Sequence, residues 1–370
     1  MAAQRWFPLR RPLYGTISST SIGYSEASSQ RGTMSRKTTE RIPSTMYNGA
    51  RIAAVVPAYK EERMIGQVIE TMPDYVDHIV IVDDCSPDNT SRAVRAMADP
   101  RVELIRHDVN QGVGGAIITG HRKAMELGAD VNVVMAGDAQ MDPAYLPDLL
   151  EKVVDDGYGF AKANRFFSAG SFSGMPRYRI FGNILLSFMT KLASGYWHLF
   201  DPQNGYTAVR TEILQRLPLE TISKRYSFEN DMLLNLNILQ VPAIDVPIPA
   251  VYGEEVSSIR LSKVVPELLH MLGTGFWKRI WYRYVLWSFS PVALMLFLGM
   301  ALFGVGAVIS IWVCFQILSS TVATAATVML AALPLMLGTQ LLISALQLDI
   351  QASPSAPSLP HIRKHGRTSR

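Results

Sequence analysis

The sequence predicts an α/β domain built on a mostly parallel sheet, followed by helices that lie on a membrane and then cross it. Three observations carry this. Short apolar strands alternate with amphipathic helical patterns from Arg51 to about residue 160, the pattern of a parallel sheet wound with crossover helices. From Tyr284 to Leu348, 65 consecutive residues contain no Asp, Glu, Lys, Arg or His. A bilayer-spanning helix needs roughly 20 apolar residues, so that run is long enough for two spans and too long for one. Third, the loops after the strands carry acidic side chains where Gly and Ser are usual.

The elements follow in order. IAAVV (52–56) reads as a short buried strand, and Met64, Ile65, Val68, Ile69 and Met72 then share one helical face. HIVIV (78–82) is the next strand, with a helix around 88–98 that Asp88 is placed to cap. VELI (102–105), a helix around 113–127, VNVVM (131–135) and a helix begun by Pro143 continue the alternation. Past residue 160 the pattern loosens to a helix near 178–194, a strand GYTAVR (205–210) and a helix from Phe228.

The expected organisation is a tail over 1–50, the α/β domain over 51–257, interfacial helices over 258–283, two spans over 284–348 and a basic tail over 349–370. The first segment is rich in Ser, Thr and Arg with only Glu26 and Glu40 acidic. It fits a disordered tail, a transit peptide, or an upstream start with Met34 or Met46 as the true one. In 258–283, Leu268, Leu269, Leu272, Phe276, Ile280 and Trp281 lie near one face with Lys and Arg opposite. Trp277, Trp281, Tyr282 and Tyr284 form an aromatic belt. The break between spans falls near Ser319, Ser320 and Thr321.

Lys278, Arg279 and Arg283 precede the spans, and Arg363, Lys364, Arg367 and Arg370 follow them, so both flanks are expected on the cytoplasmic side. The net charge of +4 suits anionic lipid head groups, and no basic stripe interleaved with aromatics suggests nucleic acid. Two cysteines, Cys85 and Cys314, imply no disulfide framework. The spans carry no ionisable residue, which disfavours a channel or transporter.

In an open parallel sheet, ligands bind outside the carboxyl ends of the strands. Those ends run into PAYKEE (57–62), DDCSPDNT (83–90) and AGDAQMDP (136–143), which would crowd Glu61, Asp83, Asp84, Asp138 and Asp142 on one rim. Clustered carboxylates repel unless a cation or hydrogen-bonding ligand intervenes, and a hard divalent ion that draws further oxygens from phosphates fits. Each motif alone has an ordinary structural reading: DD as a helix cap, DP as a helix start. NQGVGGAIITG (110–120) lacks the third glycine and the first-turn position of a dinucleotide fingerprint, so a dehydrogenase is rejected.

VVPAYKEE, IVIVDDCSPDNT, NQGVGGAIITGH, MAGDAQMDP and SFENDML, in this order, resemble the family 2 glycosyltransferases of GT-A fold, and within them the polyprenol-phosphate group that includes dolichyl-phosphate mannose and glucose synthases. The resemblance covers about residues 51–262. It implies a GT-A nucleotide-sugar-binding domain that transfers a sugar from a UDP- or GDP-sugar to a polyprenyl phosphate, dolichyl or undecaprenyl, with inversion and with Mg²⁺ or Mn²⁺. It assigns Pro57, Tyr59 and Glu61 to base and ribose, has Val82 and Asp84 frame the base, and gives Asp138 to diphosphate and metal with Gln140 beside it. Ala136 stands where the family's DxD element has its first aspartate. Arg165 and Arg179 match arginines that receive the acceptor phosphate, and Glu229 and Asp231 match the acidic catalytic motif. A lipid phosphate is already ionised near neutral pH, so Asp231 is expected to position the acceptor more than to act as a strong base. The family's basic residue near a later GES-like segment has no counterpart in YGEEVSSI (252–259). Membrane lipid is an expected partner, and a homo-oligomer is compatible with the sequence.

Two other functions fit parts of the pattern. One is a transferase extending a lipid-linked glycan or polysaccharide, though no QxxRW motif follows the acidic segment. The other is a non-catalytic membrane scaffold retaining the fold, which donor binding without turnover would reveal.

Overall fold

A computed structural model describes residues 46–167, 177–249, 261–319 and 324–362. The tail through residue 45 and the segments YGEEVSSI and 363–370 lie outside the described residues, and with them the expectations placed there. Seven strands form one sheet in the order β3-β2-β1-β4-β6-β5-β7. β1 (Ile52–Ala58), β2 (His78–Asp83), β3 (Val102–Arg106) and β4 (Val131–Val134) pair in parallel, joined by helices α1 (Ile65–Glu70), α2 (Thr90–Ala96) and α3 (Val113–Glu126). The cores of β1 and β2 are continuous apolar runs because both sheet faces are covered, whereas β4 buries Asn132 among its valines and β3, at the sheet edge, is only partly buried.

The second half holds two strands that the alternation did not reveal. β5 (Phe160–Asn164) follows helix α4 (Leu146–Leu150), and β7 (Ala243–Pro247) follows α7 (Phe228–Ile238). β5 reads FAKAN: its Lys162 and Asn164 are buried by polar partners, so the apolar signal is broken. β6 (Thr207–Arg210) runs antiparallel to β4 and β5, while β5 and β7 are parallel. The sheet is therefore mostly parallel with one reversed strand, β6, between β4 and β5. The expected GYTAVR strand keeps only its last four residues, followed directly by the short helix α6 (Thr211–Leu214).

Helix α5 (Arg177–Ser194) packs on α8 (Leu261–Arg279) through Ala193, Leu268 and Leu272, with Met189 and Phe276 at the edge. α8 continues as a π-helical turn, Ile280–Leu286. The two predicted spans are α9 (Pro291–Leu318) and α10 (Ala325–Gln351), candidate membrane helices by length and apolarity. They pack closely with Gly299, Gly306 and Gly338 buried between them, the small-residue contact typical of helices in lipid.

The face expected of residues 258–283 divides in two. Leu268, Leu272 and Ile280 turn inward, while Leu269, Trp277 and Trp281 are exposed together with Val265. The basic side chains also differ from expectation. Arg279 is 0 % exposed and Arg283 is buried, so neither faces lipid head groups. Arg279 donates to Asp349 (2.6 and 3.1 Å) and to the carbonyls of Leu192 and Ala193, and Tyr284 and Trp197 also donate to Asp349. An arginine can be buried here because a carboxylate and two helix-end carbonyls satisfy its fork. This lock joins α5, α8 and the end of α10. Beyond α10 the chain returns over the α/β domain: Leu359 donates its N–H to Gly157 O, Arg210 reaches Pro360 O at 2.6 Å, and Ala243 N–H donates to Pro354 O.

Candidate active site

A cleft of about 330 Å³ opens at the carboxyl ends of β1, β2 and β4. Pro57, Tyr59 and Glu61 line it from β1, Asp84 from β2, and Ala136, Gly137 and Asp138 from β4. Asn110, Gly112, Val113 and Ala116 complete it from the start of α3, and Arg225 and Tyr226 from the loop before α7. The fold thus brings together Pro57, Tyr59, Glu61, Asp84 and Asp138. Val82 lies apart: it is 0 % exposed, packed with Ala53, Val55 and Ala116 beneath the cleft.

The acidic loops differ in how their carboxylates are used. Asp83 accepts from Ser86 N–H at 2.8 Å and from the Ser91 hydroxyl, with Arg106 at 3.7 Å. Asp84 accepts from the N–H groups of Gln111 and Gly112, both at 2.8 Å, and contacts His107 Nδ1 at 2.7 Å. Its oxygens fasten the start of α3. Asp88, expected as the cap of α2, takes Thr90 N–H and hydroxyl from one residue ahead of the N-cap, which is Asn89 and makes no side-chain cap bond, and Asp142 takes Ala144 N–H at the Pro143 turn. Asp138 lines the cleft and is held by one oxygen only. Its Oδ1 accepts from Gln140 N–H at 3.0 Å, within a turn where Ala139 has φ +58°.

That geometry sets what could hold a metal. Among the described residues no group of three or more His, Cys, Asp and Glu is arranged to cage an ion. Asp138 offers one carboxylate, Ala136 offers nothing, and the Gln140 side chain does not line the cleft. Such a set fits a hard divalent ion that takes its remaining ligands from diphosphate and water, as Mg²⁺ commonly does, and does not fit an ion bound by protein alone.

Arg165, Glu229 and Asp231 are not among the described residues that line this cleft. Arg165 grips Asp201 with a two-point fork, Nε to Oδ2 at 2.8 Å and Nη2 to Oδ1 at 2.9 Å. Burial alone would raise the Asp201 carboxyl, but the Arg165 guanidinium holds it below its ordinary range. Behind it Lys162, 1 % exposed, lies 2.9 Å from Asp245 and donates to Asp201 O. Arg179 belongs to the first turns of α5, and its side chain is outside the described set. Glu229 lines a small inner cavity of about 20 Å³ with His121, Lys162 and Asn204. Burial pushes its carboxyl up to about 7, and burial pushes the His121 imidazole down to about 3. Asp231 is raised by burial as well, although it accepts Ser223 N–H at 2.9 Å. Rather than opening on the cleft, Asp231 anchors the loop that carries Arg225.

Sequence reasoning missed Asn110, Gly112, Val113, Arg225 and Tyr226 as lining residues. The Gly-rich run was visible and could have pointed to the first three. Arg225 and Tyr226 carried no signal beyond their place just before SFENDML.

A parallel sheet with an acidic cleft at its carboxyl edge, reached by loops from three adjacent strands, defines a nucleotide-binding α/β transferase domain joined to a helical hairpin. The Glycosyl transferase family 2 model matches residues 53–217. The chain is 33 % identical over 218 residues to the UDP-N-acetylglucosamine–dolichyl-phosphate N-acetylglucosaminyltransferase of Methanococcus voltae, covering 55 % of this chain and 86 % of that one. It is 32 % identical over 209 residues to the undecaprenyl-phosphate mannosyltransferase of Micrococcus luteus, covering 55 % and 85 %. Among solved structures, glucosyl-3-phosphoglycerate synthase of Mycobacterium tuberculosis aligns at TM-score 0.48 and 19 % identity over 62 % of this chain and 80 % of that one. The chain belongs to the family 2 glycosyltransferases.

Proposed function

We propose that the protein transfers a sugar, with inversion, from a nucleoside diphosphate sugar to a polyprenyl phosphate at the cytoplasmic face of a membrane. The observation that carries this is the joining of two surfaces in one unit. The acidic nucleotide cleft sits on the same body as exposed apolar side chains, Ile184, Leu185 and Phe188 of α5, Leu269 and Trp277 of α8 and Trp281 of the turn after it, and as the two candidate spans. The named acceptors of the Methanococcus and Micrococcus relatives, dolichyl and undecaprenyl phosphate, support a lipid phosphate here.

In the reaction an oxygen of the lipid phosphate forms a bond to the anomeric carbon. The bond from that carbon to the donor's β-phosphate oxygen breaks, and the nucleoside diphosphate leaves with the electron pair. Tyr59, Glu61 and the backbone around Pro57 hold base and ribose, and Asp84 acts by fixing the α3 start that closes the cleft. A divalent ion, Mg²⁺ or Mn²⁺, held by Asp138 would offset charge on the leaving diphosphate, with the expected neighbour Gln140 set outside the cleft. Arg165 and Arg179 receive the acceptor phosphate; for Arg165 this means competing with Asp201 for the same fork. The acceptor is already an anion, so no strong base is required. Glu229 and Asp231 serve the architecture on the acceptor side, and no proton passes through them to the nucleophile.

A donor screen tests the reading. Membranes containing the protein, polyprenyl phosphate and Mg²⁺ or Mn²⁺ are given radiolabelled UDP-glucose, UDP-N-acetylglucosamine or GDP-mannose in turn. Acid-labile label in the organic extract from one donor is expected. Absence of lipid label from every donor, with label entering a lipid-linked glycan instead, would replace this reaction with chain extension.

A further inference from the structure

We infer that Arg225 grips the diphosphate of the donor, which rests on the nucleotide-sugar reading of the cleft. Of the acidic side chains lining it, Asp84 is consumed by its three donors, while Asp138 is held by one oxygen only. A diphosphate placed against a carboxylate needs positive charge. Among the described lining residues Arg225 is the one Lys or Arg, and no hydrogen bond, ion pair or ring contact within the described chain engages its guanidinium. A planar fork with several donors suits phosphate oxygens better than a point charge does.

An exposed arginine without a partner is ordinarily a solvated surface group. Here the backbone beneath it is built into place. Lys224 O accepts Gly115 N–H at 3.0 Å, Arg225 O accepts Phe228 N–H at 3.0 Å, and the Ser223 and Ser227 hydroxyls meet at 2.6 Å. The glycine run at the start of α3 is the seat for this loop. A Cβ on Gly112, where φ is +91°, would lie 2.5 Å from Lys224 O and 3.1 Å from Arg225 Cγ. One on Gly114 would lie 2.7 Å from Ser223 O and 2.8 Å from Phe228 Cδ2. NQGVGG, which fits no dinucleotide fingerprint, therefore lets the Ser223–Phe228 loop press against α3 and delivers Arg225 into the cleft. Gly112 and Val113 at the N-terminal end of the 14-residue α3 line the same space, where the helix dipole also favours an anion.

The test is calorimetric binding to the purified full chain in detergent, with Mg²⁺ constant, using UDP and GDP beside uridine and guanosine. One diphosphate is expected to bind the wild type. Arg225→Ala should weaken it about tenfold to a hundredfold, the loss of a charge-assisted contact, while the matching nucleoside binds as before. Arg225→Lys should recover part of the loss, and melting temperatures should match because the side chain is exposed. Undiminished diphosphate binding by Arg225→Ala would overturn the assignment. Equal loss of nucleoside and diphosphate would also overturn it, by showing that the residue shapes the cleft. A wild type that binds neither diphosphate would remove the donor reading itself.

Discussion

The loops after β2 and β4 have similar compositions and opposite uses. DDCSPDNT spends Asp83, Asp84 and Asp88 on its own N–H and hydroxyl groups, on those of Gln111 and Gly112, and on His107. AGDAQMDP spends Asp142 on a helix start and holds Asp138, which lines the cleft, by one oxygen only. A carboxylate saturated with donors is a fastener. One satisfied by half is available to a ligand. The density of acidic residues at a strand end therefore says little about chemistry until their partners are known.

The contrast can be broken most forcefully at Asp138. Asp138→Ala should lower kcat/KM by roughly a hundredfold to a thousandfold, the scale for losing one preorganised electrostatic group. Its unfolding free energy should move by less than about 0.5 kcal/mol, as for a surface change. Near-normal turnover in radiolabel assays would make Asp138 a fastener as well. Asp84→Ala should do the reverse in stability: two N–H groups and His107 lose their acceptor, at a cost of about 3 kcal/mol measurable by chemical denaturation. A variant as stable as the wild type would show that Asp84 is free to serve ligand alone.

Smaller effects sharpen the same division. Gly112→Ala should destabilise by about 1–2 kcal/mol, because an L side chain is strained at φ +91° and its Cβ meets Lys224 O. Normal stability with normal donor binding would dissociate the glycine run from the loop it seats. The smallest effect concerns pH. The Glu229 carboxyl is raised to about 7 in the folded chain, so its contribution favours the folded state below the ordinary value of 4.5 and is lost as pH rises through 7. Glu229→Gln should flatten the stability–pH profile between about 4.5 and 7, as read from melting curves. An unchanged slope would mean that the carboxyl is not desolvated.

Much of this division was legible in the sequence where a single physical rule governs. The strands β1 and β2 were readable because burial on both faces makes continuous apolar runs, β3 and β4 because their short apolar segments alternate with amphipathic helices, and the hairpin because charge is excluded from lipid. β5 was not, since its Lys162 and Asn164 are buried through partners contributed by residues 201 and 245, far along the chain. The burial of Arg279 and Arg283 was hidden for the same reason: a basic residue on a helix reads as part of the polar face until Asp349 and the end of α5 supply acceptors. Asp138 was identified by its motif, whereas Arg225 depends on a loop folding onto α3 from more than a hundred residues away.

The central claim is that a lipid phosphate oxygen is the nucleophile, and a paired acceptor assay tests it most directly. The purified protein in vesicles would be given the labelled donor with either polyprenyl phosphate or the corresponding polyprenol. The account predicts acid-labile lipid label with the phosphate and none above background with the alcohol. Equal labelling of the two would contradict it, and would return Glu229 or Asp231 to the role of a base that activates a hydroxyl.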